Sequence, residues 1–193
     1  PIPATCSVSF SIQPPNTLKL FSVIIPARDE EESLPPTVTS LFEVFDKHNI
    51  PHEIVVVDDE STDRTVEIAR QYTDRVISRK MDIEGRHRNF AYAQARHDWV
   101  FSLDADERIT PALRDEIIAL LQNGPPLEGY TVPRRNFIGK QWIRHGGWYP
   151  SPQLKLFRKD KFRYEESQVH PRAFMNSDSG SLQGDLLHYS YRD

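Results

Sequence analysis

The pattern that most constrains this fold recurs three times: a short unbroken apolar run that stops on carboxylates. Phe21-Ser22-Val23-Ile24-Ile25 leads into Arg28-Asp29-Glu30, and Ile54-Val55-Val56-Val57 into Asp58-Asp59. Trp99-Val100-Phe101-Ser102-Leu103 leads into Asp104-Ala105-Asp106. Runs this short with no polar alternation read as strands buried on both faces, as in a parallel sheet. The segments between them carry helix signals. Ser33 is placed as an N-cap, prolines 35 and 36 fit a first turn, and Val38, Leu41, Phe42 and Phe45 follow at helical spacing. Ser61 or Thr62 is expected to cap a helix carrying Val66, Ile68 and Ala69. Arg75-Val76-Ile77-Ser78 reads as a further short strand and residues 86–97 as a helix. Thr110-Pro111 opens an amphipathic helix with Leu113, Ile117, Ile118 and Leu121, which Asn123-Gly124-Pro125-Pro126 stops. Such alternation predicts right-handed βαβ units: an α/β, Rossmann-like, mostly parallel central sheet flanked by helices.

Beyond Pro126 the texture changes to short strands (130–132, 154–157) among aromatic, glycine and basic residues, which predicts a smaller mixed part. Residues 1–20, with four prolines, read as an irregular lead-in. Residues 21–193 are expected to form one unit with halves at 21–123 and 127–193, neither able to bury an adequate core alone. Hydrophobic content of 38% with 27% charged residues fits a globular chain, and a formal net charge of −4 gives no electrostatic reason to expect nucleic acid. Cys6 is the single cysteine, which makes a reducing compartment the default. No signal-like segment stands at the start, and no apolar run approaches the roughly 20 residues that span a bilayer. The expected setting is the cytoplasm, extending to the cytoplasmic face of the inner membrane.

Open α/β sheets bind ligands beyond the carboxyl ends of their strands, so the three carboxylate clusters should converge on one edge. Singly, each could be a turn or cap carboxylate. Asp104 and Asp106, one residue apart, suit a hard divalent cation, Mn²⁺ or Mg²⁺, that takes few protein ligands and completes its shell with phosphate and water. Zinc is disfavoured, because no cysteine–histidine spacing fits it. Neither GxxxxGK[ST] nor GxGxxG occurs.

Four segments together resemble the inverting glycosyltransferases of family 2, which have the GT-A fold. They are SVIIPARDEE at 22–31, VVVDDESTDRT at 55–65, GRHRNFAYAQARHDWVFSLDADE at 85–107 and GGWYPSPQLKLFRK at 146–159. WYP…LKLF, then VH, then LxGxLxHYSY from Leu182 to Tyr191 is most similar to the lipopolysaccharide-core glucosyltransferase branch. The resemblance implies a nucleotide-sugar donor (a UDP-sugar before others) and a glycan or lipid-linked acceptor. It implies that Pro26, Ala27, Arg28 and Glu30 line the nucleotide pocket and that Asp58 or Asp59 hydrogen-bonds the base. Gly85, with Arg88 and Asn89, matches the segment beneath the nucleotide, where Arg86 or Arg88 would neutralise diphosphate charge. Asp104 would contact ribose or metal, Asp106 would be the principal metal ligand, and His188 a late one.

Inverting transfer needs a general base for the acceptor hydroxyl. The branch shows Val-His-Glu where this chain has Val169-His170-Pro171, so Glu165, Glu166 and His170 are the substitutes expected. Trp142, Trp148 and Tyr149, around the glycines of His145-Gly146-Gly147, are candidates for stacking on an acceptor sugar. Arg134, Arg135, Lys155, Arg158 and Lys159 make this half locally basic, which suits an anionic acceptor, a membrane surface or a solvated face. Two other readings compete. A sugar-nucleotide nucleotidyltransferase would carry a glycine-rich loop after the first strand, and Pro26-Ala27-Arg28-Asp29-Glu30 has no glycine. A non-catalytic nucleotide-sugar or glycan-binding module is the other, on the strength of Pro171.

Overall fold

In the computed structural model of the protein, which describes residues 20–167 and 171–191, the apolar runs pair side by side. β1 (Phe21–Ala27), β2 (His52–Asp58), β3 (Val76–Ser78) and β4 (Trp99–Ser102) are mutually parallel in the order β4-β1-β2-β3. α1 (Leu34–Val44), α2 (Thr65–Ala69) and α3 (Glu84–Ala93) connect them. β5 (Glu107–Ile109) follows, then α4 (Pro111–Asn123), β6 (Gly129–Val132), β7 (Arg134–Ile138) and β8 (Gln141–Ile143). β9 (Gln153–Arg158), β10 (Phe162–Tyr164), β11 (Ala173–Met175), β12 (Gly180–Ser181) and β13 (Leu186–Tyr191) complete the described chain. β9 inserts antiparallel between β4 and β6, and β12 lies parallel to β6, making a seven-stranded sheet β12-β6-β9-β4-β1-β2-β3. A four-stranded sheet β5-β13-β7-β8 and the hairpin-like pair β10-β11 form the mixed part.

β1 shows why its run is continuous. Phe21, Val23 and Ile25 face one core with Leu34, Val38 and Leu41 of α1 and Leu113, Ile117 and Leu121 of α4. Ile24 faces the other with Val55, Val57, Ala91, Tyr92 and Phe157. Helices on both faces leave no position for a polar residue except Ser22, whose hydroxyl donates to Glu53 at 2.5 Å.

Several local expectations shift. Ser33 holds the N-cap position of α1 without a side-chain bond; the Leu34 N–H is taken by the Glu30 carbonyl at 2.9 Å. Phe42 is 52% exposed, off the apolar stripe. α2 starts at Thr65 instead of just after Ser61 or Thr62, because the Asp63 carboxylate accepts the Thr65 N–H at 2.9 Å. α3 spans 84–93 in place of 86–97, since the Arg96 N–H is drawn off to Glu53 at 2.6 Å and the His97 N–H to Ser22 at 3.3 Å. β4 stops at Ser102, so Asp104 and Asp106 sit in the turn into β5, closed by the Glu107 N–H on the Asp104 carbonyl at 3.0 Å. Strand alternation therefore does not set their directions.

Candidate active site

At the carboxyl ends of β1 and β2, Pro26, Ala27, Arg28, Glu30 and Asp59 line a cleft of about 210 Å³ with Met81, Glu84, His87 and Arg88. Asp59 is buried and fixed from three sides. Arg28 Nη1 donates to its Oδ2 at 2.8 Å, the Met81 N–H to its Oδ1 at 2.5 Å, and its own N–H bonds the Ala27 carbonyl at 2.9 Å. Asp58 is buried too, but its carboxylate accepts the Ser61 N–H at 3.2 Å and does not line the cleft. Asp29, in the left-handed region at φ 52°, accepts the Thr62 N–H at 2.7 Å and so ties the two strand-end loops together. Of the four carboxylates at these strand ends, Glu30 and Asp59 face the cleft, while Asp29 and Asp58 hold the loops.

α3 forms the cleft's opposite wall. A Cβ on Gly85 would lie 1.7 Å from the Glu165 carbonyl oxygen, so only glycine lets the start of α3 meet the segment after β10. Asn89 bonds both backbone groups of Tyr164, at 3.0 and 2.7 Å. Arg86 is directed to Asp82 and to Glu166 at 3.0 Å, on the exposed rim. Arg88 turns inward, with Nε on Glu84 at 3.1 Å and Nη1 on Asp104 at 3.2 Å. His87 is 3% exposed, and its Nδ1 has no hydrogen-bond partner among the described residues. Burial lowers its pKa and Arg79 and Arg88 add to that, against Asp59 and Asp82, so the ring is held neutral.

Glu84 and Arg88 are shared with a second cleft of about 410 Å³, lined also by Asp104, Arg134, Gln153, Leu154, Lys155, Tyr164, Pro171 and Ala173. At its floor Lys155 Nζ donates to Asp104 at 2.9 Å and to Glu107 at 2.6 Å, and Glu107 also accepts the Asp104 N–H at 2.9 Å. Burial opposes ionisation of Asp104, but Lys155 and Arg88 outweigh it and hold the carboxyl well below its usual range. Burial likewise opposes charge on Lys155, and Asp104 and Glu107 overcome it to raise its pKa. Glu107, fully enclosed, is pushed up by burial and by Asp104 while Lys155 pulls it down. The network thus keeps Asp104 anionic at the cleft wall.

Asp106 is not part of this network. Its carboxylate stands 3.2 Å from His188 Nε2, where β5 and β13 run side by side. Asn136 Oδ1 lies 2.8 Å from His188 Nδ1, and Ser190 Oγ bonds the same ring. Asn136 is itself fixed by donating to the Trp148 carbonyl at 2.8 Å. With Nδ1 held by Asn136, the other ring nitrogen, Nε2, is kept beside the Asp106 carboxylate.

The remaining sequence-stated residues fall elsewhere. Tyr164, Pro171 and Ala173 line the larger cleft, and Glu165 and Glu166 sit on the rim between them, paired with Arg172 at 3.4 Å and with Arg86. His170 lies outside the described residues. Trp142 pairs across the sheet with Phe137, and His188 with Asn136, so Trp142 occupies the face opposite His188. Tyr149 packs edge-on against Trp142 at 5.3 Å and donates to Asp185 at 3.0 Å; Trp148 is exposed. The structure adds Glu84, His87, Glu107 and Asn136, which sequence reasoning did not single out. Glu107 carried one signal, its place directly after Asp104-Ala105-Asp106.

Residues 22–179 match the family model described as glycosyl transferase family 2. The lipopolysaccharide core biosynthesis glycosyltransferase LpsC of Rhizobium meliloti is 32% identical over 144 residues, 71% of this chain and 53% of that protein. The undecaprenyl-phosphate 4-deoxy-4-formamido-L-arabinose transferase of Pseudomonas savastanoi pv. phaseolicola is 33% identical over 138 residues, 67% of this chain and 40% of that one. The chain therefore spans about half or less of the length of these relatives. Among solved structures, S. aureus TarS 1–349 in complex with UDP-GlcNAc superposes with a TM-score of 0.65 at 19% identity, covering 90% of this chain and 59% of that one. That likeness shows a shared GT-A architecture. With the family model spanning most of its length, the chain belongs to glycosyl transferase family 2.

Proposed function

We propose that this domain moves a sugar from a nucleotide-sugar donor, a UDP-sugar first, to a glycan or lipid-linked acceptor in lipopolysaccharide or other cell-envelope glycan synthesis. One observation carries the reading: two adjoining clefts at the strand ends share Glu84 and Arg88, the smaller lined by the first two carboxylate clusters and the larger by Asp104. The smaller cleft would take the nucleoside, with Asp59 accepting a base N–H. Arg88 stands at the junction, where a diphosphate would pass between the clefts. Arg86, tied to Asp82 and Glu166, serves the rim. Asp104, held ionised by Lys155 and Arg88, is suited to accept from ribose hydroxyls. The larger cleft would hold the transferred sugar and the acceptor hydroxyl.

A divalent ion fits Asp106 and His188. A carboxylate oxygen and an imidazole nitrogen lie together, the second imidazole nitrogen is hydrogen-bonded by Asn136, and no third His, Cys, Asp or Glu joins them among the described residues. Two protein donors leave the other positions for diphosphate oxygens and water, as Mn²⁺ or Mg²⁺ prefers. Bound there, the ion would supply positive charge for the departing nucleoside diphosphate. Proton removal from the acceptor falls to Glu165, Glu166 or His170, on the segment whose neighbours Tyr164 and Pro171 line the cleft.

The test is incubation with UDP-, GDP-, ADP- and dTDP-sugars and Mn²⁺, read by thermal shift and by product analysis. Stabilisation by one nucleotide class with donor turnover supports the reading, since specific binding raises the melting temperature by mass action. Pyrophosphorolysis would make the protein a nucleotidyltransferase. Donor binding without turnover in the presence of acceptor glycans would make it a binding module, with Pro171 as the reason.

A further inference from the structure

The sheet β5-β13-β7-β8 has two unlike faces. Glu107, Ile109, Asn136 and Leu186 face the body of the protein and are buried. At the alternate positions Arg108, Phe137 and Tyr189 are half-exposed, and with them Trp142. On this outer face rings and guanidinium groups interleave. Phe137 and Tyr189 stack at 5.0 Å, and Arg108 lies 4.3 Å from the centre of the Tyr189 ring. Arg135 and Arg144 lie 4.7 and 4.3 Å from the Trp142 ring. Arg135 is paired with Asp185, but Arg108, Arg144 and nearby Lys140 form no ion pair among the described residues.

We propose that this face docks on an anionic membrane surface. Unpaired cations gathered on one face of a chain of net charge −4 make that face locally positive, and acidic lipid headgroups complement it as a flat array. Guanidinium groups lying over the rings put positive charge and aromatic area on one surface. Tryptophan and tyrosine are the side chains that favour the headgroup region. Single-stranded nucleic acid would need open ring faces for base stacking, and here guanidinium groups lie over Tyr189 and Trp142. Asp106 and His188 lie at the opposite face of the same sheet, which would bring transfer close to the headgroups. That consequence rests on the transferase reading; the docking itself does not.

The experiment is co-sedimentation of the purified protein with vesicles of phosphatidylcholine and phosphatidylglycerol, against phosphatidylcholine alone. Binding should require the anionic lipid, weaken with added salt, and fall about fivefold for each unit of charge lost, once in Arg108→Gln and twice over in Lys140→Glu and Arg144→Glu. Trp142→Ala should weaken it as well. The melting temperature of Lys140→Glu/Arg144→Glu should match the wild type, showing an intact fold. Equal binding to neutral vesicles, or unchanged binding by the charge variants, overturns the proposal. So does tighter capture of a single-stranded RNA oligonucleotide than of the vesicles. Sugar transfer enters none of these readouts, so a failed transferase assay leaves the result standing.

Discussion

Lys155 sits 5% exposed between two carboxylates, one of them on a residue with no exposure at all. Removing the cation takes from Glu107 its close partner and leaves Asp104 with Arg88 alone, so Lys155→Met should lower stability by about 2–4 kcal/mol in a urea titration. Glu53 makes a second residue-scale prediction. Burial works to raise its pKa, but bonds from Ser22, the Arg96 N–H and Arg75 outweigh burial and lower it from the ordinary 4.5. The unfolded chain therefore takes up this proton before the folded one. The stabilisation is complete above pH 4.5 and is lost as pH falls through the lower folded value. Glu53→Gln should cost about 1–3 kcal/mol at neutral pH and flatten that acid limb of a melting-temperature profile. Arg28 and Asp59 were legible in the sequence because each directly follows an apolar run. Lys155 and Glu53 were not, since a charged residue in or beside a strand declares its buried partner only once distant strands are brought together.

At the scale of elements, the start of α3 decides how the cleft wall is held. Gly85 permits backbone contact with Glu165, and the Gly85 N–H bonds the Ser167 carbonyl at 3.3 Å. Gly85→Ala must push α3 away from the 164–167 segment, because the obstacle is backbone and cannot rotate aside. It should lower the melting temperature and weaken UDP binding together; an alanine variant with wild-type UDP affinity would show that this contact does not position Arg88. Helix existence was readable from spacing and caps, but helix limits were not. α2 waits for Asp63, and α3 ends early because Glu53 and Ser22, on other strands, claim the Arg96 and His97 N–H groups. These are tertiary bonds that no local propensity encodes.

For the whole molecule, the parallel half β4-β1-β2-β3 follows directly from apolar runs separated by helices. The place of β9, antiparallel between β4 and β6, does not, because the strand comes more than 50 residues after β4 and its alternation fits either direction. The same insertion delivers Lys155 to Asp104, while β13, further along, delivers His188 to Asp106. The pair Asp104–Asp106, separated in sequence by Ala105 alone, is thereby divided between two networks. On this division rests our proposal that the divalent ion goes to Asp106 and His188. Calorimetric titration of UDP with and without Mn²⁺, on wild type and on Asp106→Asn, tests that assignment most directly. Mn²⁺ should tighten UDP binding to the wild type, and the variant should lose that gain, at least about tenfold, with its melting temperature preserved. Mn²⁺-dependent UDP binding that is the same in Asp106→Asn as in the wild type would contradict it.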